Sequence, residues 1–175
     1  KPLSFYAATK KSNEVMAHAY SNIYNLPCTG LRFFTVYGQL GRPDMSLFKF
    51  TKAIIEGNKV DLYNYGDHVR DFTHVDDVVV SIIKLINKIP KGPIPFEIFN
   101  IGSNRPKPLK EFLKQIELSL SKKAKIKLLP MQKGDVHKTH ASTKKLNQRI
   151  KFVPKVQIKE GIKKFVDWYI SYYKK

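Results

Sequence analysis

The chain has 175 residues, a formal net charge of +18 with histidine neutral, and an apolar fraction of 42%. A chain of this size and apolar content can bury a core, which excludes an intrinsically disordered protein despite the charge. The single cysteine excludes a disulfide framework and a cysteine-based zinc site, and it suits a reducing cytoplasm. Because no apolar run is long enough to span a bilayer, a membrane protein is not expected.

The positive charge comes mostly from lysines that are spread along the chain. Proteins that read nucleic acids usually rely on arginine for bidentate contacts, so nucleic-acid binding is not the expected function. A solvated, lysine-rich surface is the simpler interpretation. A basic patch that recruits an anionic partner is the alternative.

Helical periodicity alternates along the chain with short apolar runs, and this pattern predicts an α/β architecture. The predicted helices cover 5–25 (with Ser4 as cap), 46–56 (closed by Gly57), 76–87, 108–120, 142–149 and 156–172. The predicted strands cover 29–36, 60–63, 69–73, 96–101 and 126–129. The N-terminal segment has neither an initiating Met nor the apolar core of a signal peptide, and we expect it to begin partway through a domain.

Two residues of the first predicted helix form a candidate acid/base pair. Tyr6 and Lys10 are four residues apart, so their side chains share one helix face. At about 4 Å and an effective dielectric near 20, an ammonium stabilises a phenolate by about 4 kcal/mol. This stabilisation would make the phenol a usable general base near neutral pH.

Several motifs occur in a characteristic order around this pair. They are Tyr6-Ala-Ala-Thr-Lys10 with Asn13-Glu14, Leu31-Arg32-Phe33-Phe34-Thr35-Val36-Tyr37-Gly38, Gly41-Arg42-Pro43-Asp44-Met45, Arg70-Asp71-Phe72-Thr73-His74-Val75-Asp76-Asp77, Asn100-Ile101-Gly102 and Gly134-Asp135-Val136. Over essentially the whole chain they resemble the extended short-chain dehydrogenases/reductases, in the nucleotide-sugar 4-epimerase branch. The residues of these motifs are most similar to those of the UDP-glucuronate 4-epimerases.

This resemblance implies an NAD-dependent isomerase in which C4 of the sugar is transiently oxidised. Tyr6 would take the proton of the 4-hydroxyl, and Lys10 would hold the nicotinamide ribose. Tyr6, Lys10 and Phe33 are therefore the expected cofactor-binding residues.

The resemblance also implies a binding site for a UDP-sugar. Phe34 would lie beside the sugar, and Thr35 with Arg42 would receive its carboxylate, for which arginine is a natural bidentate partner. Arg70 would meet the diphosphate, and Asp135 would lie near the uridine ribose. The alternative for Arg70 is a structural ion pair with Asp71 or Asp77.

The expected fold is the C-terminal part of a Rossmann-like parallel sheet plus a smaller α/β substrate-binding domain. The NAD-binding part would cover 1–58 with returning elements at about 70–102, and the UDP-sugar domain mainly 59–69 and 103–175. No glycine-rich dinucleotide motif is present in the sequence. We therefore expect the chain alone to be inactive.

The resemblance further implies a cytoplasmic enzyme of polysaccharide biosynthesis that is a homodimer at full length. Other nucleotide-sugar enzymes, such as a UDP-glucose 4-epimerase or a 4,6-dehydratase, are alternatives within this class. A non-catalytic basic interaction module is the alternative outside it. No metal is expected, because His74, His137 and His140 lack a ligand arrangement with cysteines or acids.

Overall fold

The helices and strands follow the alternation that the sequence predicts. The computed structural model describes residues 2–174. The helices are α1 (Phe5–Tyr24), α2 (Ser46–Glu56), α3 (Val75–Ile86), α4 (Leu109–Leu120), α5 (Lys144–Ile150) and α6 (Ile158–Tyr173), and a short 3₁₀ turn covers Tyr63–Gly66. The strands are β1 (Cys28–Phe33), β2 (Thr35–Tyr37), β3 (Lys59–Leu62), β4 (Val69–Arg70), β5 (Phe72–His74), β6 (Phe96–Ile101), β7 (Lys107–Pro108) and β8 (Lys125–Leu128).

The strands pair in twos, and three of the four pairs in the described part of the chain are parallel. β1 pairs with β6, β2 with β5 and β3 with β8, while β4 and β7 are antiparallel. Parallel strands joined through helices confirm the predicted α/β class.

Two strands that the sequence predicts as continuous are each divided by one residue. The backbone N–H of Phe34 donates to the carbonyl of Ile101 at 3.1 Å, and that of Thr35 donates to the carbonyl of Asp71 at 3.2 Å. The chain therefore leaves β6 and joins β5 within one step, and Asp71 makes the matching division between β4 and β5. An apolar run does not reveal a change of partner strand, because periodicity reports burial and not pairing.

The core consists of two hydrophobic clusters. The larger one joins buried side chains of α2, β3, α4 and α6, among them Phe48, Leu62, Phe112 and Phe165. The smaller one joins α3, β6 and α5 and includes Phe99. β2 contacts both clusters, through Tyr37 in the larger one and Val36 beside the smaller one, and β5 contributes Phe72 to the larger one.

Local signals account for three of the helix ends. The Ser4 side chain accepts a hydrogen bond from the Ala7 backbone N–H at 3.2 Å, as the predicted cap requires. Gly57 ends α2 with φ of 71°, a conformation that glycine adopts without a Cβ penalty. α3 begins one residue earlier than predicted because His74 Nδ1 accepts from the Asp76 N–H at 3.3 Å.

No helix within residues 2–174 is long and apolar enough to cross a membrane.

Candidate functional site

Helix α1 carries Tyr6 and Lys10 on one open face. Lys10 Nζ lies 5.3 Å from the centroid of the Tyr6 ring. The Tyr6 side chain is 70% exposed, so its hydroxyl is open to approach. The two side chains thus share one open helix face, as their spacing predicts, with the ammonium above the ring.

An ion pair attaches α1 to the strand that follows it. Arg32 on β1 donates to the Glu14 carboxylate, with a Nη2 to Oε2 distance of 2.7 Å, and Lys11 donates to the same oxygen at 2.9 Å. The hydrogen bond from Arg32 is the main reason why the pKa of Glu14 falls from 4.5 to about 2. Among the described residues of α1, Ser21 is the buried one. The ion pair is thus an important part of the attachment of the helix.

A cavity of about 440 Å³ opens between β2, the start of α2, β3 and the loop that ends at Asp135. Thr35, Arg70 and Asp135 line it, so the structure brings together three of the five residues predicted to bind substrate. They come from positions far apart in the chain. The pairing of β2 with β5 brings Thr35 near Arg70. A parallel bridge between Val69 and Lys138 brings the loop that carries Asp135 near Arg70.

Arg70 and Asp135 are held together by a network of hydrogen bonds. Arg70 Nη2 donates to Asp135 Oδ1 at 2.9 Å, and Nη1 donates to the carbonyl of His137 at 3.0 Å. The Val136 N–H donates to the same Asp135 oxygen at 2.7 Å. His68 Nε2 lies 3.4 Å from the other Asp135 oxygen. The two residues assigned to different parts of the nucleotide therefore contact each other directly.

The alternative ion pairs proposed for Arg70 are wrong. Asp71 instead accepts from the Ser103 N–H at 2.8 Å, the Ser103 hydroxyl at 2.7 Å and the Ala141 N–H at 2.9 Å. Asp77 accepts from the backbone N–H groups of Lys155 and Val156. Both acids hold loops in place, which leaves the Arg70 guanidinium to Asp135.

Arg42 lies outside the large cavity. It forms an exposed ion pair with Asp44, with a Nε to Oδ1 distance of 3.0 Å. Arg42 and Thr35 both line a smaller neighbouring space beside Gly38. The expected carboxylate pair is therefore close in the fold, but the arginine is engaged by another acid.

Phe33 and Phe34 have different surroundings. Phe33 ends β1 and is 51% exposed. Phe34 is half-buried, and its ring lies 3.5 Å from the position that a Cβ on Gly102 would occupy. Only Phe33 thus presents an open aromatic surface at the carboxyl end of β1.

The loop that carries Asp135 lies against the beginning of α1. A Cβ built on Gly134 would lie 3.3 Å from the Cβ of Ser4 and 3.5 Å from the carbonyl oxygen of Leu3. Ser4 is two residues before Tyr6. This contact brings the Tyr6 end of α1 to the same side of the molecule as the Arg70–Asp135 pair.

Sequence reasoning missed several residues that line the large cavity, notably Lys49 and His68. Lys49 belongs to a helix and His68 to a turn, and neither has a motif of its own. Gln132, two residues before the Gly-Asp motif, also lines the cavity. Within residues 2–174, no group of three or more His, Cys, Asp or Glu side chains is arranged to hold a metal ion.

Comparisons with known proteins agree with this geometry. The model of the NAD dependent epimerase/dehydratase family matches residues 1–102. Protein CapI of Staphylococcus aureus is 51% identical over 99% of this chain and 56% of its own length. A probable UDP-glucuronate 4-epimerase of Rhizobium meliloti is 42% identical over 100% of this chain and 56% of its own length.

The fold is also similar to a solved enzyme structure. UDP-glucuronic acid 4-epimerase from Bacillus cereus, in complex with UDP-glucuronic acid and NAD, superposes with a TM-score of 0.92 at 29% identity. The match covers 99% of this chain and 55% of that chain. The present chain thus spans about half the length of the curated relatives it matches.

Proposed function

The chain belongs to the NAD dependent epimerase/dehydratase family, and on that premise we propose that it forms the sugar-nucleotide part of a UDP-glucuronate 4-epimerase. The observation that carries the proposal is the cavity of about 440 Å³ that joins Thr35, Arg70 and Asp135. The names of the relatives from R. meliloti and B. cereus point to the same substrate.

The diphosphate would bind at Arg70. Its guanidinium is largely buried, with 16% of the side chain exposed, and two carbonyls fix its orientation. A fixed guanidinium can make paired hydrogen bonds to phosphate oxygens. To donate these hydrogen bonds to the phosphate oxygens, Arg70 would give up its bond to Asp135. Asp135 would then be free to accept from a ribose hydroxyl.

The sugar would extend from Arg70 towards Thr35 and the open face of α1. Phe34 would lie beside it, as the resemblance implies. Arg42 would reach its carboxylate only after separating from Asp44, an ion pair that is exposed and therefore weak. This exchange would favour an acidic sugar over a neutral one, because only the acidic sugar replaces the lost carboxylate.

Tyr6 and Lys10 would carry the proton transfer. The exposed phenol lies beside an ammonium, and the half-exposed Phe33 supplies an apolar surface, so these residues fit a nicotinamide ring and its ribose. NAD, when bound, supplies the hydride acceptor for C4 and returns the hydride. Tyr6 would accept the proton of the 4-hydroxyl as C4 is oxidised and give it back afterwards. Lys10 would hold the ribose and stabilise the phenolate.

We further propose the division into a cofactor part (1–58 with about 70–102) and a substrate part (59–69 with 103–175). The two hydrophobic clusters follow this division only in part, because α2 packs with α4 and α6 of the substrate part, and α5 packs with α3 and β6 of the cofactor part. Homodimerisation at full length is supported by exposed apolar residues on α1, including Val15, Met16 and Tyr20.

The cytoplasm is the proposed compartment, because the lone cysteine, Cys28, suits a reducing environment.

A chimera tests the enzymatic proposal. The preceding part of S. aureus CapI, joined to this chain, should interconvert UDP-glucuronate and UDP-galacturonate in the presence of NAD. The 175-residue chain alone should not do so. Tyr6→Phe in the chimera should lower kcat by at least about a hundredfold, the typical contribution of a positioned acid/base, with KM nearly unchanged.

Controls separate the alternatives. Tyr20→Phe on the same helix is the matched control and should retain activity, since Tyr20 lies about four turns from Tyr6. Turnover of UDP-glucose with no turnover of UDP-glucuronate would refute the choice of substrate. A folded chimera that turns over neither sugar would contradict the enzymatic proposal. Salt-sensitive DNA binding by that protein would instead favour the basic interaction module.

A further inference from the structure

The large cavity carries no net positive charge, although it is proposed to bind a diphosphate. Six charged side chains line it within the described part of the chain, the cations Lys49, Lys59 and Arg70 and the acids Asp44, Asp61 and Asp135. With three charges of each sign, the formal sum is zero. A diphosphate diester brings two negative charges, so its binding leaves the cavity with an excess of negative charge.

His68 lies in the cavity wall beside Asp135, the acid that would lose its cation when Arg70 binds phosphate. Its side chain is 5% exposed, and its backbone carbonyl accepts from the Leu109 N–H at 2.8 Å, which fixes the residue at the cavity wall. Nε2 makes no hydrogen bond with any residue from Pro2 to Lys174. Its distance of 3.4 Å from Asp135 Oδ2 is longer than an ordinary hydrogen bond. The imidazole is thus buried, unpartnered and adjacent to the acid that holds Arg70.

The groups that face His68 favour its neutral form before a ligand arrives. Burial lowers the pKa of His68 below its ordinary 6.5, and the nearby charges of Arg70 and His137 lower it further, whereas Asp135 and Asp67 oppose this shift. His137 is itself turned towards Asp67, with its Nε2 at 3.3 Å from Oδ2. Arg70 meanwhile competes with His68 for Asp135, because both lie beside the same carboxylate.

We propose that binding of a nucleoside diphosphate at Arg70 is coupled to uptake of one proton by His68, which then becomes the ion-pair partner of Asp135. The inference rests on the proposed function. When phosphate oxygens take over the Arg70 guanidinium, Asp135 loses its cation and the local negative charge rises. Both changes favour the imidazolium. The proton comes from solvent and is bound at Nε2, only 3.4 Å from the carboxylate.

The sign of the coupling follows from linkage. Since the liganded protein would bind the proton more tightly, affinity increases as the pH falls through the bound-state pKa of His68. The increase is at most about tenfold per pH unit for one proton, and it ends below the free-state pKa. A diphosphate diester has no group of its own that titrates in this range, so a sugar nucleotide is a clean probe.

Calorimetry of the 175-residue chain tests the coupling. UDP-glucuronate is titrated near pH 7 into the protein in buffers with different ionisation enthalpies, and the dependence of the observed enthalpy on the buffer gives the protons taken up. The wild-type chain should take up a substantial fraction of one proton. His68→Asn should bind the nucleotide with no uptake. His137→Asn is the matched control, because its imidazole also faces an acid, and it should keep the uptake.

A direct measurement covers the case in which a variant is unstable. The imidazole C–H resonances of the wild-type chain, followed by NMR against pH, should give a higher pKa for His68 with UDP-glucuronate than without it. Binding with no buffer dependence and no change in this pKa would overturn the coupling and leave the proposed function intact. A titration with ADP-glucose further distinguishes failure of the coupling from failure of the proposed function. If it binds with proton uptake while UDP-glucuronate does not bind, the coupling stands and the proposed substrate is wrong. Binding of neither would overturn both.

Discussion

Replacing Asp71 by asparagine should destabilise the fold strongly, because this carboxylate joins three separate segments. The side chain is fully buried and accepts hydrogen bonds from the Ser103 N–H, the Ser103 hydroxyl and the Ala141 N–H at 2.7 to 2.9 Å. All three partners are donors. Asparagine offers one oxygen and one NH₂ group, so at least one of these donors would face another donor.

The expected loss follows from these contacts. A hydrogen bond to a charged group contributes about 1.5–3 kcal/mol, and a buried donor without an acceptor costs about 1–3 kcal/mol. If the amide oxygen keeps both bonds to Ser103, the bond from Ala141 is lost and the other two weaken. Asp71→Asn should therefore lower the free energy of unfolding by about 2–4 kcal/mol, which is a large share of the roughly 5–15 kcal/mol of a typical domain.

Urea unfolding followed by fluorescence of Trp168 measures this loss, since α6 packs Trp168 against Phe165 in the larger cluster. Ser103→Ala removes the hydroxyl donor alone and should cost less than Asp71→Asn. Asp61→Asn is the charge-matched control, because Asp61 is exposed, and its effect should stay within about 0.5 kcal/mol. An Asp71→Asn protein as stable as this control would refute the reasoning.

Two further predictions concern the attachment of α1 and the contact at Gly102. The pKa of Glu14 is about 2 in the folded chain against 4.5 ordinarily, so its stabilising effect is present above the ordinary value and is lost as the pH falls from there towards the folded-state value. Because Arg32 is half-exposed, this stabilising effect should be about 1 kcal/mol. Urea unfolding at a series of pH values should show a midpoint that falls over this acidic range in the wild-type chain, and Glu14→Gln should remove that part of the fall. Equal acid sensitivity of both proteins would contradict this. Gly102→Ala would place a Cβ 2.2 Å from the Cβ of Ala141, and thermal unfolding should show a loss of about 1–3 kcal/mol. Adding Ala141→Gly should restore part of it, and the absence of any rescue would show that the contact is not the cause.

The sequence predicts the secondary structure well because local signals produce most of it. The apolar period indicates the helices, Ser4 caps α1, and Gly57 ends α2. β7 was missed, because two residues that include Pro108 have no periodicity to detect. The divided strands were missed for a different reason, since the change of partner at Phe34 depends on where Ile101 and Asp71 lie in space.

The candidate site could be predicted only in part. Motif order identifies Tyr6, Lys10, Arg70 and Asp135, whose catalytic and binding roles stay predictions. The ion pair between Arg70 and Asp135 spans 65 positions, and no local pattern reports such a contact. The burial of His68 is equally invisible in the sequence, because it results from packing around the turn after β3.

The single-residue division at Phe34 has a consequence for how a ligand is accommodated. At Phe34 and Asp71 the chain passes directly from one strand pair to the next, without an intervening loop. A sliding motion of one cluster over the other would have to break the backbone hydrogen bonds of Phe34 and Thr35. The backbone of the cavity wall, where Thr35 pairs with Phe72, is therefore held by strand hydrogen bonds before any ligand arrives. The entropic cost of ordering this wall is met during folding. Adaptation to different sugars must come from rotation of side chains and from the surface loop around Asp135.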